Sequence, residues 1–271
     1  MSGTLFVVAT PIGNLEDLSP RARQILAEVD LVAAEDTRHT GRLLSHLGVK
    51  TRQFALHEHN EARATQALIE QLKGGRSVAL VSDAGTPLVS DPGYRLLQAA
   101  HANGITVSPV PGPCAVTAAL SVSGLPTDRF GFEGFPPAKS VARRTLLQSR
   151  AGELRTLVFF EGVHRIAATL ADMVDVFGAH REAFLGRDLT KLHEQCRRAS
   201  LGELLDDVTN GAIVPKGEFV IAVRGADAAA ASSIDADRLL AELADALPPK
   251  KAAAIAARVT GEKRNALYQR L

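Results

Sequence analysis

The chain has no tryptophan, and aromatic residues make up only 4% of its 271 positions. Burial must therefore rest on aliphatic side chains, and a hydrophobic fraction of 46% supplies enough of them for sizeable cores. The only two cysteines, Cys114 and Cys196, form no close pair and no metal-ligand spacing, so they read as free thiols in a reducing compartment. A large charge imbalance is missing too. A net charge of +1 excludes a surface that is basic throughout, and any polyanion site has to be local. No apolar run approaches the roughly 18 residues of a membrane span, and the opening Met-Ser-Gly-Thr is not a basic segment leading into a long apolar one. The expectation is a soluble, cytoplasmic protein.

Two nucleotide signatures are also absent: the Gly-rich dinucleotide fingerprint and the P-loop. Hydride transfer with a nicotinamide and nucleotide hydrolysis thereby lose their usual anchors. No metal site is expected. His57 and His59 would face opposite ways on an extended segment, and no cysteine pair assists them.

What the chain does have is alternation. From Thr4 to Gly112, short apolar runs alternate with amphipathic segments, the pattern of βα units on a mainly parallel sheet. Strands are predicted at Leu5 to Ala9, Leu31 to Glu35, Thr51 to His57, Ser77 to Ser82 and Ile105 to Val110. Helix ends are marked by Ser19-Pro20 and Asn60 as N-terminal signals, and by Gly48, Gly74 and Gly104 as C-terminal ones. Pro111-Gly112-Pro113 then breaks the chain before an apolar helix from Cys114 to Val122. Beyond it, strands are predicted at Phe130 to Phe135, Thr156 to Phe160, Ala183 to Arg187, Cys196 to Leu201 and Glu218 to Val223. Helices are predicted near Arg143 and from Ile166 to Phe177, and the spacing suits a mixed sheet.

The length favours two domains with an appendage. The expected division is an N-terminal α/β domain over residues 1–112, a second α/β domain over 113–225, and a linker with a basic helical tail over 226–271. Ala226 to Ser233 is the linker candidate. From Pro248 onward there are six Lys or Arg residues against Glu262 alone, on what reads as two short helices.

In an open parallel sheet, ligands bind beyond the carboxyl ends of the strands. The five ends here run into Thr10-Pro11-Ile12-Gly13-Asn14, Glu35-Asp36-Thr37-Arg38, His57-Glu58-His59-Asn60, Asp83-Ala84-Gly85-Thr86-Pro87 and Pro111-Gly112-Pro113. Any one could be ordinary loop punctuation. Together they place polar, tight-turning segments on one edge, and Asp83 beside Gly85 joins a carboxylate to a backbone that a polar cofactor can approach closely.

In this order, TPIGNLEDLSPRA from Thr10, EDTRHT from Glu35, HEHN from His57, SDAGTPLVSDPG from Ser82, PGP from Pro111, GLPTDRFGFEGF from Gly124 and KGEF from Lys216 resemble the ribosomal RNA small subunit methyltransferase I family, a branch of the tetrapyrrole methylase superfamily. The resemblance covers nearly the whole chain. It implies a class III methyltransferase with two α/β domains, S-adenosylmethionine in the cleft between them, a homodimer, and a decoding-region cytidine 2′-hydroxyl of small-subunit rRNA as substrate.

By the same resemblance the cofactor would lie against Asp83, Ala84, Gly85, Pro87 and Leu88, then Cys114 and Ala115, with Phe160, Glu161, Gly217 and Glu218 added by the second domain and the loop at Pro11 closing over it. Two departures stand out. Glu161-Gly162-Val163-His164-Arg165 lacks the family's usual proline, and Gly186-Arg187-Asp188-Leu189-Thr190-Lys191 replaces Ala-Arg-Glu-Leu-Thr-Lys.

Methyl transfer to a ribose hydroxyl needs alignment and profits from a general base. Glu35, Asp36 and His57 are the candidates. Arg38 and Arg165 suit phosphates, as do Lys191, the group Lys139, Arg143 and Arg144, and the tail residues Lys250, Lys251, Lys263 and Arg264. Two other functions fit parts of this pattern. A small-tetrapyrrole methylase would share fold and cofactor without needing the basic tail, and a non-catalytic ribosome-binding assembly factor would need the tail without the chemistry.

Overall fold

The computed structural model describes residues 2–227 and 236–271. The first sheet takes β1 (Thr4–Val8), β2 (Leu31–Ala34), β3 (Gln53–Ala55), β4 (Val78–Val81) and β5 (Thr106–Val110) in the order β3-β2-β4-β1-β5, every pairing parallel. Every residue of β2 and β4 is buried. That is the environment of central strands covered on both faces, and it explains their unbroken runs of Val, Leu and Ala. Helices α1 (Pro20–Glu28) and α2 (Thr37–His46) cover one face, and α3 (Glu61–Lys73) and α4 (Tyr94–Ala102) the other. Ser19 caps α1 by accepting from the Ala22 amide, with Pro20 in the first turn.

Two local expectations change. The third strand is three residues long, not seven: it is an edge pairing only with β2, from Gln53 opposite Val32 to Ala55 opposite Ala34. Beyond Ala55 the Asn60 side chain takes over, accepting from the His57 amide and donating to the Ala55 carbonyl, so it ties the loop and does not cap α3. The left-handed residue after α3 is Gly75, at φ 87°, and Gly74 keeps a negative φ.

After β5, α5 (Ala115–Ser123) crosses over and packs on the second sheet. That sheet comprises β6 (Phe130–Gly134), β7 (Thr156–Gly162), β8 (Glu182–Arg187), β9 (Gln195–Ser200) and β10 (Glu218–Val223), in the order β6-β7-β10-β8-β9. Only β6 and β7 pair in parallel. Helices α6 (Ser140–Arg150), α7 (Ile166–Phe177) and α8 (Leu201–Thr209) cover the face opposite α5. The last of these was not anticipated, although Ser200 and Glu203 form the reciprocal capping box that announces it.

The linker expected at Ala226 to Ser233 lies outside the described residues from position 228 on. Past it, α9 (Ala236–Ala246), α10 (Pro249–Thr260) and α11 (Arg264–Tyr268) bury Ala236, Leu240, Ala253, Ala256 and Leu267 in a core made of tail residues alone. The two short helices read after Pro248 are α10 and α11. A third helix precedes them.

Candidate active site

The loops after β1, β2, β4 and β5 converge on a cavity of about 420 Å³ whose other wall is the second sheet. This size is ordinary for a small-molecule site. Thr10 and Gly85 fix its floor through a two-way backbone bridge, Thr10 N to Gly85 O at 2.9 Å and Gly85 N to Thr10 O at 3.1 Å. Gly85 needs to be glycine: its φ is 83°, and a Cβ would lie 3.3 Å from Ile12. The two domains also touch directly at Gly13, where a Cβ would run into the Lys191 side chain.

Non-glycine residues with left-handed backbone bracket the cavity from both sides. Leu88 and Ser90 have φ of 76° and 69° in the loop after β4, and Asp188 and Thr190 have 48° and 68° in the loop after β8. Such conformations cost about 1–3 kcal/mol each and are held only where the surroundings over-determine them.

The first-domain wall is acidic. Glu35, Asp83 and Asp91 all line the cavity. Burial, reinforced by the charges of Asp91 and Asp83, pushes the Glu35 carboxyl up to about 7. Burial likewise raises Asp91. Asp83 braces the loop after β2 by accepting from the Asp36 amide at 3.0 Å. On the opposite wall, Lys191 donates to Glu218 at 2.6 Å and pairs with Asp188 at 3.3 Å. Burial works against its charge, and these two carboxylates together outweigh that and raise its pKa.

Of the cofactor candidates, Asp83, Ala84, Gly85, Cys114, Ala115, Phe160, Glu161 and Glu218 line the cavity, while Pro11, Pro87, Leu88 and Gly217 do not. The last four stand next to residues that do: Ile12, Thr86, Val89 and Glu218. The Glu161 carboxylate is already engaged. It accepts from Thr169 at 2.6 Å and from its neighbour's amide at 2.7 Å, and pairs with Arg165 at 2.6 Å. What it offers a ligand is shape, not a free charge.

Among the candidate bases the structure separates one from the others. Glu35 faces the cavity, whereas Asp36 and His57 are not part of its lining. Asp36 accepts a two-point contact from the Arg38 guanidinium and caps α2 through the Arg38 amide, which holds its carboxyl at about 2. His57 Nδ1 is buried without a hydrogen-bond partner among the described residues.

The proposed phosphate contacts also divide. Arg143 is a correction: it is 3% exposed and forms a buried pair with Asp172 at 2.6 Å, so it cannot meet RNA. Arg165 is committed to Glu161 and to the Pro136 carbonyl, and Lys191 belongs to the cleft wall. Arg144 is half-exposed and paired with Asp175. Arg38, Lys139, Lys250, Lys251, Lys263 and Arg264 are exposed.

Residues not singled out from the sequence include Ile12, Asp91 and Phe135. Asp91 could have been found as a second carboxylate within the same loop as Asp83. Nothing in its local sequence marks Phe135 as lining a cleft.

The profile of the tetrapyrrole (corrin/porphyrin) methylases matches residues 4–205, and that of the RsmI C-terminal HTH domain matches residues 230–271. A ribosomal RNA small subunit methyltransferase I from Pseudomonas aeruginosa is 55% identical over 99% of this chain and 96% of its own length. The protein of that name from Escherichia coli O157:H7 is 51% identical over 98% and 94%. The chain belongs to the ribosomal RNA small subunit methyltransferase I family.

More distant solved structures share the fold of this methyltransferase. Diphthine synthase superposes with a TM-score of 0.61 at 18% identity, covering 82% of this chain and 90% of its own. The Thermus thermophilus uroporphyrin-III C-methyltransferase complexed with S-adenyl homocysteine gives 0.56 at 21%, covering 81% and 97%. Class III architecture, with two α/β layers facing a shared cleft, is therefore the fold of this family member.

Proposed function

We propose that this protein transfers a methyl group from S-adenosylmethionine to a cytidine 2′-hydroxyl of small-subunit ribosomal RNA, as a cytoplasmic homodimer. Whole-length relatedness to enzymes named for that rRNA supports the substrate class. The observation that carries the chemistry is a cavity with three carboxylates on one wall and, on the other, a lysine already neutralised by its own partners. A sulfonium donor is a cation, and such a cavity fits one. Apolar Ile12, Val89, Leu189 and Val220 offer the contact an adenine ring needs. The Thr190 hydroxyl, buried without a partner among the described residues and next to the lining residues Leu189 and Lys191, fits a polar ligand.

S-adenosylmethionine supplies an activated methyl group, so the chain contributes alignment and proton management. Glu35 is the general base of this proposal. Its carboxyl titrates near neutrality, where a base is both ionised and strong enough to take a hydroxyl proton, typically worth about 10²- to 10⁴-fold. Asp83 holds the Glu35-Asp36 turn through the Asp36 amide. The exposed tail cations Lys250, Lys251, Lys263 and Arg264 supply local positive charge for phosphates on a near-neutral protein, while Arg38, although exposed, is paired with Asp36.

Labelled S-adenosylmethionine incubated with the protein and small ribosomal subunits tests the reading: label is expected on a ribose oxygen of the RNA. Label only in an added tetrapyrrole would replace this function with that of a tetrapyrrole methylase. Tight subunit binding without transfer would leave an assembly factor.

A further inference from the structure

The chain is poor in aromatics, yet a cluster of three reaches the cavity through Phe135 and Phe160. Phe132 and Phe135 both pack edge-to-face on Phe160, with ring centroids 4.8 Å and 5.6 Å away. Phe160 is half-buried, while Phe135 is 55% exposed and still lines the cavity, which places it at the mouth.

The backbone around it is built to hold that ring. The β6–β7 register shifts between Phe132 and Gly134, and such irregularities re-aim the side chains that follow. Gly134 has φ 68°, and a Cβ there would sit 3.3 Å from the Ser90 hydroxyl of the opposite domain. After Phe135 come two prolines, and every carbonyl of the next three residues is claimed. Arg165 donates to Pro136 O at 3.1 Å, and Arg143 donates to Pro137 O at 3.4 Å and Ala138 O at 3.2 Å. Both guanidiniums are anchored in turn by carboxylates at 2.6 Å, Glu161 and Asp172. One edge of this ring packs on Phe160, and about half of its surface is left to solvent at the cavity. Four residues further along the chain Lys139 is exposed, with no ion pair among the described residues.

Resting on the proposed RNA reaction, we propose that Phe135 is the stacking platform for the nucleobase of the target nucleotide, holding it at the cleft mouth while its ribose reaches Glu35. Sequence-specific RNA recognition mostly targets unstacked bases in loops and single strands, and an aromatic face replaces the stacking lost. The exposed Lys139 is placed to meet a neighbouring phosphate.

Phe135→Ala is expected to lower kcat/KM for the small subunit by about 5- to 150-fold, the usual worth of one base on one ring, with calorimetric affinity for S-adenosylmethionine unchanged. Phe135→Tyr should restore the rate. A second readout does not depend on turnover: the protein has no tryptophan, so Phe135→Trp carries a single indole. Its emission should be quenched by a small-subunit rRNA fragment containing the modified nucleotide and left unchanged by S-adenosylmethionine. Quenching by the cofactor alone, or an equal loss of cofactor affinity in Phe135→Ala, would assign the ring to the methyl donor and overturn the proposal. An unaltered kcat/KM in Phe135→Ala would also overturn it. Absence of RNA labelling by the wild type would instead defeat the rRNA reaction itself.

Discussion

Replacing Arg143 by alanine separates a phosphate contact from a buried strut. The side chain is 4% exposed and Asp172 is 9% exposed, with guanidinium and carboxylate joined at 2.6 and 2.7 Å. Without Arg143, the Asp172 carboxylate keeps the Ser140 hydroxyl at 3.0 Å and Arg144 at 3.7 Å. The carbonyls of Pro137 and Ala138 lose their guanidinium donor. Breaking one half of a buried pair typically costs about 3–5 kcal/mol. The residual partners put the expected loss at the lower end, about 3 kcal/mol. With a urea dependence of about 3 kcal/mol per molar, the unfolding midpoint should fall by about 1 M, followed by far-UV circular dichroism because no tryptophan is present to report. The paired change Arg143→Met with Asp172→Leu should recover most of that loss, since an apolar pair leaves no charge uncompensated. An unchanged midpoint in Arg143→Ala, together with a salt dependence of RNA binding shallower by about one phosphate, would refute the strut and restore the arginine to the RNA surface.

Glu35→Gln should abolish the rise of methylation rate with pH through about 7 and lower the plateau by about 10²- to 10⁴-fold. Because the folded-state carboxyl is raised from 4.5, the wild type holds its proton more tightly folded than unfolded, so stability falls as pH rises from 4.5 to 7. Screening at this half-exposed group leaves about 1 kcal/mol of that dependence, which denaturant titrations of Glu35→Gln should lack. Asp83→Ala removes the acceptor of the Asp36 amide and one cavity carboxylate. It should weaken S-adenosylmethionine binding in calorimetry, and equal affinity would contradict the cationic-ligand reading of the cavity. Truncation after Asp227 removes a tail with its own core and the exposed cations Lys250, Lys251, Lys263 and Arg264. RNA affinity should drop and its logarithmic salt slope flatten by up to about 3 to 4, with cofactor affinity retained; equal RNA affinity at moderate salt would remove the tail from the interface.

The parallel sheet and the convergence of its loops were legible because both follow from periodicity and punctuation. Leu31–Ala34 and Val78–Val81 are uninterrupted apolar runs bounded by turn residues, the composition of short strands covered on both faces. The third strand was over-extended because its apolar pattern continues past Ala55, whereas its length is set by the four residues of its only partner, β2, and by the Asn60 side chain. The first-domain wall of the cavity was readable in part, since Asp83-Ala84-Gly85, which line it, carry their own turn chemistry. Arg143 was misread for a reason intrinsic to one dimension. A basic run on an amphipathic helix fixes which face each residue takes relative to its neighbours, but Asp172 lies 29 residues away on α7, and only packing of α6 against α7 decides that the arginine turns inward.

That inward turn bears on how a near-neutral protein handles a polyanion. Two of the arginines that charge counting assigns to RNA, Arg143 and Arg165, spend their charge on Asp172 and Glu161, and Lys191 on Asp188 and Glu218. The cleft therefore presents the acidic groups Glu35, Asp83 and Asp91 without a free cation among its lining residues. Such a wall repels phosphate and favours a cationic donor, so under the proposed reaction the RNA backbone is gripped elsewhere, on exposed cations such as Lys139 and those of the tail. In the proposed reaction, separating the two kinds of charge lets one small molecule bind the acidic cavity while a nucleotide enters it base and ribose first. An exposed, rigidly held aromatic ring at the mouth is what that mode of entry requires.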